Sequence, residues 1–348
     1  MPVTLQVDGD RWRAHLLAVA KSNPHLVPVA KGNGYGFGMP RLARRAGWLG
    51  SDTLAVGTYE EVAGALSRFP GDVQVLSPWR PFLREVSFDP RVIHTLGRFE
   101  DVGALAAQAR AARARVRVVL EGLTSMTRHG LHRDELDAAA GRLGGLRLTG
   151  LALHLPMSGD RLGEAERWAA LLRVSRLATT TLYVSHLSGN EVTTLAGRHP
   201  ALTVRPRIGT ALWLGDRSAL RVTATVLDSH RVRRGARVGY RQRPLPRAGT
   251  VLVVSGGTAH GIGLEAPAAL TSIRQRAVSA ARGGLEAAGL ALSPFQVAGR
   301  QRWFVESPHM QVSLIFVPSA VPAPAVGDEL DLDVRLTTTT FDRVVIQG

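Results

Sequence analysis

Apolar runs rich in β-branched residues alternate with amphipathic stretches along the chain up to Asp216. The runs predict eight strands, at Val27–Lys31, Thr53–Gly57, Val73–Leu76, Val92–Thr95, Val116–Glu121, Leu148–His154, Thr181–His186 and Thr203–Ile208. The stretches between them predict helices at Pro40–Leu49, Glu60–Arg68, Glu100–Ala112, Arg133–Leu143 and Asp160–Thr179. Eight strands alternating with helices are typical of a (β/α)₈ barrel of the TIM type rather than of an open doubly wound sheet.

After Asp216 the pattern changes to short strands separated by turn residues. These strands are predicted at Leu220–Leu227, Arg234–Tyr240, Thr250–Val254, Gln301–Val305, Gln311–Val317, Glu329–Leu336 and Arg343–Ile346. One helix is predicted among them, at Ala268–Ala288. The sequence therefore predicts an α/β protein with a barrel at residues 1–216 and a smaller, mostly β domain at residues 217–348. The early apolar run Val3–Val7 fits either domain.

Composition narrows the class of protein. The 348 residues include no cysteine, which excludes a disulfide scaffold, a zinc ribbon and a catalytic thiol, and no metal site is predicted. No apolar run reaches the roughly 18 residues of a membrane-spanning helix, and the N-terminus lacks the apolar core of a signal peptide. We therefore expect a soluble, cytoplasmic protein without a membrane partner.

The chain is strongly basic, with a formal net charge of +15 at pH 7. Such a charge ordinarily favours a nucleic-acid partner. All but two of the 43 basic residues are arginines, however, and they are spread along the chain rather than gathered on one helix. This bias is typical of GC-rich coding, so no nucleic-acid partner is expected. Only Lys21 and Lys31 can supply a side-chain primary amine.

Reactive side chains gather where the predicted strands end. They are Lys31 at the end of the first strand, Glu121 at the end of the fifth, Arg128 on the loop that follows, His154 at the end of the sixth, His186, Ser188 and Asn190 at and after the end of the seventh, and Arg207 before Gly209 at the end of the eighth. The active site of a parallel barrel forms at the carboxyl ends of its strands. The distribution therefore predicts an enzyme.

Lys31 is the residue on which the functional prediction depends. It follows the apolar sequence VPVA and precedes the glycine-rich loop GNGYGFG. Burial at the end of a strand lowers the pKa of a lysine toward the neutral amine, which can form a Schiff base with a carbonyl. A surface lysine on a flexible turn is the alternative interpretation. Lys21 needs no such role, because a solvated charge near a predicted helix end is sufficient explanation.

Five segments of the predicted barrel resemble motifs of the alanine racemase family, whose members use pyridoxal 5′-phosphate (PLP). They are VAKGNGYGFG at 29–38, LTSMTRHGL at 123–131, LALHLPMSGD at 151–160, SHLSGN at 185–190 and RIGTALWLGD at 207–216. Two further segments, GARVGY at 235–240 and GGTAHG at 256–261, are similar to the start of the family's β-rich second domain. The resemblance covers most of the chain and is thin beyond about residue 262.

The resemblance implies PLP as the cofactor, a small amino acid as the substrate, and a role for each matching residue. Lys31 would hold PLP and exchange a proton on one face of the substrate, and Arg128 would bind near the substrate carboxylate. Arg207 would face the pyridine nitrogen, and because arginine stays protonated the ring would remain a weak electron sink. The remaining cofactor-binding residues would be Tyr35, Asn190, Gly209 and Thr210 at the phosphate, His154 against the ring, and His186. Glu121 takes the place of a lysine that is often carbamylated in the family, and would hydrogen-bond Arg128.

The second domain departs from the family at the opposite face of the substrate. There the family uses a tyrosine from the partner subunit, in the motif G-Y-A-D-G, whereas this chain has GTAHG with Thr258 at the tyrosine position. Losing a positioned general acid costs roughly 10²–10⁴-fold in rate. Histidine titrates near neutrality, so His260 is the candidate replacement. A homodimer is expected from the same resemblance.

Three functions fit these observations. The first is a PLP-dependent amino-acid racemase, with alanine as the default substrate and D-alanine for cell-wall precursors as the product. The second is a PLP enzyme on the same scaffold with another amino-acid substrate or another reaction, such as a lyase. The third is a PLP-binding protein without turnover, which the absence of the tyrosine at Thr258 would suit.

Overall fold

The computed structural model describes residues 2–83, 86, 88–264 and 291–348. It divides into two compact units, one formed by Arg13–Gly215 and the other by Met1–Trp12 together with Asp216–Gly348. The helix predicted at Ala268–Ala288 lies outside the described residues.

The α-helices of the described residues are α1 (Gly9–Ser22), α2 (Met39–Trp48), α3 (Val62–Leu66), α4 (Phe99–Ala111), α5 (Leu136–Arg142), α6 (Arg161–Val174), α7 (Gly189–Arg198) and α8 (Thr210–Leu214). The strands are β1 (Val3–Asp8), β2 (Val27–Pro28), β3 (Thr53–Val56), β4 (Asp72–Val75), β5 (Val92–Leu96), β6 (Arg117–Gly122), β7 (Arg147–His154), β8 (Thr181–Ser185), β9 (Thr203–Ile208), β10 (Leu220–Val232), β11 (Arg237–Val238), β12 (Arg243–Pro244), β13 (Gly249–Ser255), β14 (Leu292–Val297), β15 (Arg300–Phe304), β16 (Val312–Pro318), β17 (Glu329–Asp331) and β18 (Arg343–Gln347).

The eight predicted barrel strands are present as β2 to β9 and form one parallel sheet in the order β2-β9-β8-β7-β6-β5-β4-β3. The two ends of this order meet at a parallel bridge between Val29 and Ala55, where the Ala30 amide donates to the Ala55 carbonyl at 2.8 Å. The sheet therefore closes on itself, and the predicted (β/α)₈ barrel is confirmed. Strand β2 is shorter than predicted, so that Lys31 follows the strand instead of ending it.

The barrel strands bury both faces, as parallel strands covered by helices do. Strand residues such as Val29, Val119 and Ala152 form a small cluster of their own. Strand residues at the intervening positions, such as Leu120, pack with helix residues such as Trp168 in a larger cluster. Because side chains alternate across a strand, the first cluster fills the barrel and the second lies between the sheet and the helices.

The other unit is built around a second sheet, with the strand order β14-β15-β16-β13-β10-β1-β18 and β17 beside β10. Strand β1 runs antiparallel to β10 and parallel to β18. The N-terminal strand thus belongs to this mostly β unit, whereas the predicted barrel domain began at residue 1. Alternate residues of β1 are buried, namely Val3, Leu5 and Val7. This alternation does not show which strand β1 will pair with. Among the described helices, none has the length and apolar character needed to cross a bilayer.

Trp213 links α8 to the strand that leads to Lys31. Its indole Nε1 donates a hydrogen bond to the Val29 carbonyl at 2.7 Å, and both groups are buried. The substitution Trp213→Phe removes the donor, and an unsatisfied buried acceptor costs about 1–3 kcal/mol. We therefore expect a loss of this size in the free energy of unfolding, measured by urea denaturation. Trp48→Phe is the matched control because Trp48 is 46% exposed; equal losses in both variants would contradict the prediction.

Candidate active site

The side chains predicted to act together share one rim of the barrel and one face of their strands. Val29, Val119 and Ala152 line the barrel interior, and side chains two positions along a strand point the same way. Glu121 and His154 therefore face the interior at the carboxyl ends of β6 and β7. Lys31, Arg128, His186 and Thr210 follow the ends of β2, β6, β8 and β9, and Arg207 is the last residue but one of β9.

The loop after β2 follows a left-handed backbone path. Gly32, Gly34 and Gly38 have φ angles of 61°, 62° and 82°, which glycine adopts without steric cost. Tyr35 shares this region with φ 55°, an uncommon value for a residue with a Cβ, and its side chain is only 5% exposed. The loop is turned at its start by a hydrogen bond from the Gly34 amide to the Lys31 carbonyl at 3.1 Å. The glycines thus allow the turn that buries the tyrosine.

The Lys31 amine lies among charged groups at the barrel mouth. Burial lowers the pKa of Lys31 below its ordinary value, and the nearby cations Arg128 and Arg207 lower the pKa further, while Glu61 raises it. Within the described residues the amine makes neither a hydrogen bond nor an ion pair. An amine with a lowered pKa and an uncommitted nitrogen is suited to nucleophilic and proton-transfer chemistry.

Tyr35, Gly209 and Thr210 come together where β9 leads into α8. The Tyr35 hydroxyl hydrogen-bonds the Thr210 side chain, and burial raises the pKa of Tyr35 to about 12. A Cβ at position 209 would overlap with the Tyr35 hydroxyl oxygen, so only glycine fits there. The three residues form a neutral, hydroxyl-rich cradle at the rim.

Arg207 is held rigidly inside the barrel. It is 4% exposed, its Nε donates to the Ser185 hydroxyl at 3.2 Å, and its Nη2 donates to the Leu153 carbonyl at 3.0 Å. Burial lowers the pKa of this guanidinium and Glu121 raises it again. The anchoring of two nitrogens fixes where the remaining donor group can point.

The expected hydrogen bond between Glu121 and Arg128 is absent from the described residues. Glu121 is 2% exposed inside the barrel, whereas Arg128 is exposed on the loop after β6. Burial raises the pKa of the Glu121 carboxyl, and the largest opposing influence is Arg207, followed by Arg128. The carboxylate therefore interacts across space more strongly with the buried arginine than with the one it was expected to orient.

His154 and His186 form an edge-to-face pair with ring centroids 4.8 Å apart. Burial, followed by the charges of Arg128 and Arg207, lowers the pKa of His154 to about 3. His186 adopts φ 66° directly after β8, and burial lowers its pKa as well. Both shifts favour the neutral rings, which lie close together at the mouth.

A salt-bridge network supports the loop that carries His186. Arg161 donates to the His186 carbonyl at 2.8 Å and to both carboxylate oxygens of Glu191 at 3.1 Å. Ser188 caps α7 through a capping box with Glu191. Asn190 lies in the first turn of this helix with an exposed side chain that makes no hydrogen bond within the described residues.

His260 belongs to the mostly β unit and is held there through both ring nitrogens. The Gly257 amide donates to Nδ1 at 3.3 Å, and Nε2 lies 3.2 Å from a carboxylate oxygen of Asp342. The same oxygen accepts from the Val3 amide at 2.8 Å. Since Nδ1 accepts a hydrogen bond, the proton is on Nε2 and the ring has no uncommitted lone pair. Thr258, two residues earlier, is only partly exposed.

Sequence reasoning did not single out Glu61, although its carboxylate lies beside Lys31. Glu61 accepts hydrogen bonds from the Gly32 and Gly57 amides at 2.6 Å each. The available signal was the spacing of Thr58 and Glu61 after β3, which is that of a capping box. That spacing predicts a helix start, not a partner in the neighbouring loop.

Comparison with known proteins agrees with this arrangement. A family model for the N-terminal domain of alanine racemase matches residues 7–216. The chain belongs to the alanine racemase family. Relatives include alanine racemases from Methylobacterium sp. (strain 4-46), 29% identical over 265 residues and 71% of each chain, and Thermobifida fusca (strain YX), 27% identical over 263 residues and 69% of each chain. These low identities mark a divergent member of the alanine racemase family.

Solved structures show the same fold. The alanine racemase of Bartonella henselae, crystallised with covalently bound pyridoxal phosphate, superposes with a TM-score of 0.74 over 99% of this chain and all of that one, at 17% identity. A histidine racemase from Leuconostoc mesenteroides reaches 0.71 over 99% and 98%, also at 17% identity. The likeness confirms a barrel with an additional β unit. This fold is therefore shared by racemases that are named for two different amino acids.

In this alanine racemase relative we expect His154 to remain neutral well below pH 6. Its pKa of about 3 lies below the ordinary value of roughly 6.5, so between these two values the unfolded chain binds more protons than the folded one. The folded chain keeps its full stability above that window and loses stability as pH falls through it, because the unfolded chain takes up the proton first. Histidine NMR, with the resonance assigned by His154→Gln, measures the titration directly. A midpoint near 6.5 would contradict the prediction.

Proposed function

We propose that this chain is a PLP-dependent amino-acid racemase and that L-alanine is its substrate. The observation that carries the proposal is the Lys31 amine, which has a lowered pKa, makes no hydrogen bond among the described residues, and stands at the barrel mouth beside Arg128, Arg207 and His154. Membership of the alanine racemase family agrees with this chemistry. The reaction class is proton exchange at Cα.

The residues present fit PLP. PLP carries an aldehyde and an anionic phosphate, so its site needs an amine, positive charge and hydrogen-bond donors. At the rim, Lys31 supplies the amine, Arg207 the positive charge, and the Tyr35–Thr210 hydroxyl pair the donors. Position 209 can only be glycine because the Tyr35 hydroxyl fills the space of a Cβ, which leaves its backbone accessible from the cradle. Lys31 would hold the aldehyde carbon, and Tyr35, Asn190, Gly209 and Thr210 would hold the phosphate.

PLP, when bound, draws electrons from the substrate and weakens its Cα–H bond. The chain must then accept and return a proton. The Lys31 amine can accept a proton at Nζ because burial and two arginines disfavour its ammonium form. Arg207 keeps its own protons. His154, which is neutral, would pack against the cofactor ring without adding a charge to it. Arg128, an exposed cation on the loop after β6, would receive the substrate carboxylate.

The two lysines give a direct test of cofactor binding. Purified protein with PLP is expected to show a visible absorption band that Lys31→Ala abolishes, because no other barrel-mouth residue supplies an amine. Lys21→Ala is the matched control and should keep the band. A colourless wild-type protein that cannot be loaded with PLP would remove the racemase and the PLP-binding alternatives together.

Deuterium exchange then tests turnover and substrate. L-Alanine and L-histidine incubated separately with the PLP-loaded protein in heavy water should show deuterium at Cα and D-enantiomer for alanine, followed by NMR and chiral chromatography. Histidine serves as the second amino acid because a histidine racemase shares the fold. Exchange with histidine alone would replace alanine as the substrate; no exchange with either amino acid would favour a PLP-binding protein without turnover.

The proposed function also requires an acid/base on the opposite face of the substrate. We propose His260 for this role, which requires its hydrogen bond from Gly257 to open so that Nδ1 can accept a proton. His260→Ala is then expected to lower racemisation by about 10²–10⁴-fold, with Asp342→Asn as a control that perturbs the same contact and keeps the ring. Unchanged racemisation in His260→Ala would exclude the histidine.

Thr258→Tyr provides the complementary measurement. The substitution restores the acid that the family uses, so a protein limited by the missing tyrosine should gain racemisation while PLP binding stays constant. A gain in Thr258→Tyr combined with no loss in His260→Ala would favour the interpretation that the natural chain has lost its second acid/base.

We also propose that the protein is a cytoplasmic homodimer. The homodimer is expected because the family completes this second face with a residue from a partner subunit.

A further inference from the structure

Glu61 is the acceptor of three backbone amides from two loops. Its Oε1 accepts from the Gly32 amide at 2.6 Å, and its Oε2 accepts from the Gly57 amide at 2.6 Å and from the Thr58 amide at 3.3 Å. Hydrogen bonds from N–H groups to a carboxylate are roughly twice as strong as neutral ones. Gly32 directly follows Lys31, so this carboxylate fixes the peptide adjacent to the amine-bearing residue.

These hydrogen bonds cross the closing edge of the barrel. Strands β2 and β3 are the two ends of the sheet order, and among the described residues their backbones pair at the Val29–Ala55 bridge. Gly32 and Gly57 lie just beyond these two strands, one on each side of the edge. The Glu61 carboxylate therefore joins the segments that follow β2 and β3, beyond the last backbone hydrogen bond between the two strands.

Lys31 and Glu61 also pack against the same position. The space that a Cβ would fill at Gly57 has the Lys31 Cβ at 3.0 Å and a Glu61 carboxylate oxygen at 3.1 Å. No ion pair within 4.0 Å joins the two side chains within the described residues. The carboxylate is thus close enough to influence the amine and leaves the nitrogen uncommitted.

A capping role alone does not explain the arrangement. Glu61 completes a capping box with Thr58 at the short turn Tyr59–Glu61, and either glutamate or glutamine can serve in that motif. The cap needs only the Thr58 amide. The contact from Oε1 to Gly32 lies outside the motif and reaches the loop that carries Lys31.

We propose that Glu61 is a positioning residue for Lys31, which holds the lysine loop to the end of β3 and supplies the negative charge nearest the amine. The proposal rests on the function assigned above to Lys31. The other charged or titratable groups that face Lys31 are Arg128, Arg207, His154 and His186. The two arginines are positively charged and Glu61 is the acidic group that acts on the amine, so its carboxylate opposes the arginines there; the Glu121 carboxylate at the same rim interacts mainly with Arg207.

The first measurement uses the protein without PLP. Reductive methylation with ¹³C-formaldehyde labels the two lysines and the amino terminus, and Lys31→Arg assigns the resonance of Lys31. In Glu61→Gln the titration midpoint of Lys31 should fall, since Glu61 raises the pKa of Lys31. Glu60→Gln is the matched control because Glu60 is the exposed neighbour and its carboxylate hydrogen-bonds the Thr58 side chain. Equal midpoints in wild type and Glu61→Gln would overturn the electrostatic part of the proposal.

The second measurement separates charge from geometry. PLP affinity, titrated by absorbance, should weaken about tenfold or more in Glu61→Gln, because one charge-assisted contact is worth roughly 1.5–3 kcal/mol. Glu61→Asp keeps the charge but is one methylene too short to reach both Gly32 and Gly57, so it should weaken PLP binding and leave the Lys31 midpoint near that of wild type. Wild-type affinity in Glu61→Asp would overturn the positioning role.

Failure of the proposed function gives a different result. If the wild-type protein does not bind PLP through Lys31, the absorbance titration is flat in every variant, while the ¹³C titration still reports whether Glu61 acts on the amine. Urea unfolding of each variant identifies loss of structure, and Glu61→Asp remains informative if Glu61→Gln does not fold.

Discussion

The closure of the eight-stranded sheet is the constraint on which the candidate site depends. Lys31 follows β2, Arg207 lies on the adjacent strand β9, and His154 lies on β7, which is separated from β2 by β9 and β8. Closure at Val29 and Ala55 brings the end of β3 to the same place. The Lys31 amine therefore lies near side chains from strands on both sides of the closing edge. In an open sheet Lys31 would lie at an edge, far from the loop that carries Glu61.

Closure also produces the electrostatics of the site. Three cations, Lys31, Arg128 and Arg207, converge on one mouth, and the buried carboxylate of Glu121 interacts mainly with Arg207. Like charges in a partly desolvated site disfavour one another's charged forms. The group that gives way is the lysine, since guanidinium holds its proton more tightly than ammonium. A mouth of this kind is suited to an anionic ligand and a neutral amine.

Local pattern in the sequence predicted the barrel and much of its rim. Alternating apolar runs located β2 to β9, and the positions of Lys31, Glu121, His154 and Arg207 at strand ends predicted that these side chains share one rim. Helix α7 was not predicted because only Val192 and Leu195 are buried in it, and its beginning is defined by the Ser188 cap. Local pattern carries little information about such a short helix.

What depends on contacts between distant segments was not predictable. The pairing of β1 with β10 and β18 joins the first residues to the last, and periodicity within Val3–Val7 is the same whichever sheet it joins. In sequence Glu61 has the spacing of a helix cap, and its contact with Gly32 exists only because the barrel closes. The resemblance pointed to Arg128 as the partner of Glu121, but it could not show that one side chain is buried and the other exposed.

The departure from the family at Thr258 falls outside the barrel unit that carries Lys31, and this has a mechanistic consequence. The barrel retains the amine, the cradle around Tyr35 and the anchored Arg207, which are the requirements for holding a cofactor. Proton exchange with inversion requires in addition a group with an available lone pair on the second face. His260 uses one nitrogen to accept from Gly257 and the other to contact Asp342, and Thr258 is a weak acid. Under the proposed function, cofactor retention and racemisation are therefore separable in this chain, and racemisation through His260 would require its contacts to open.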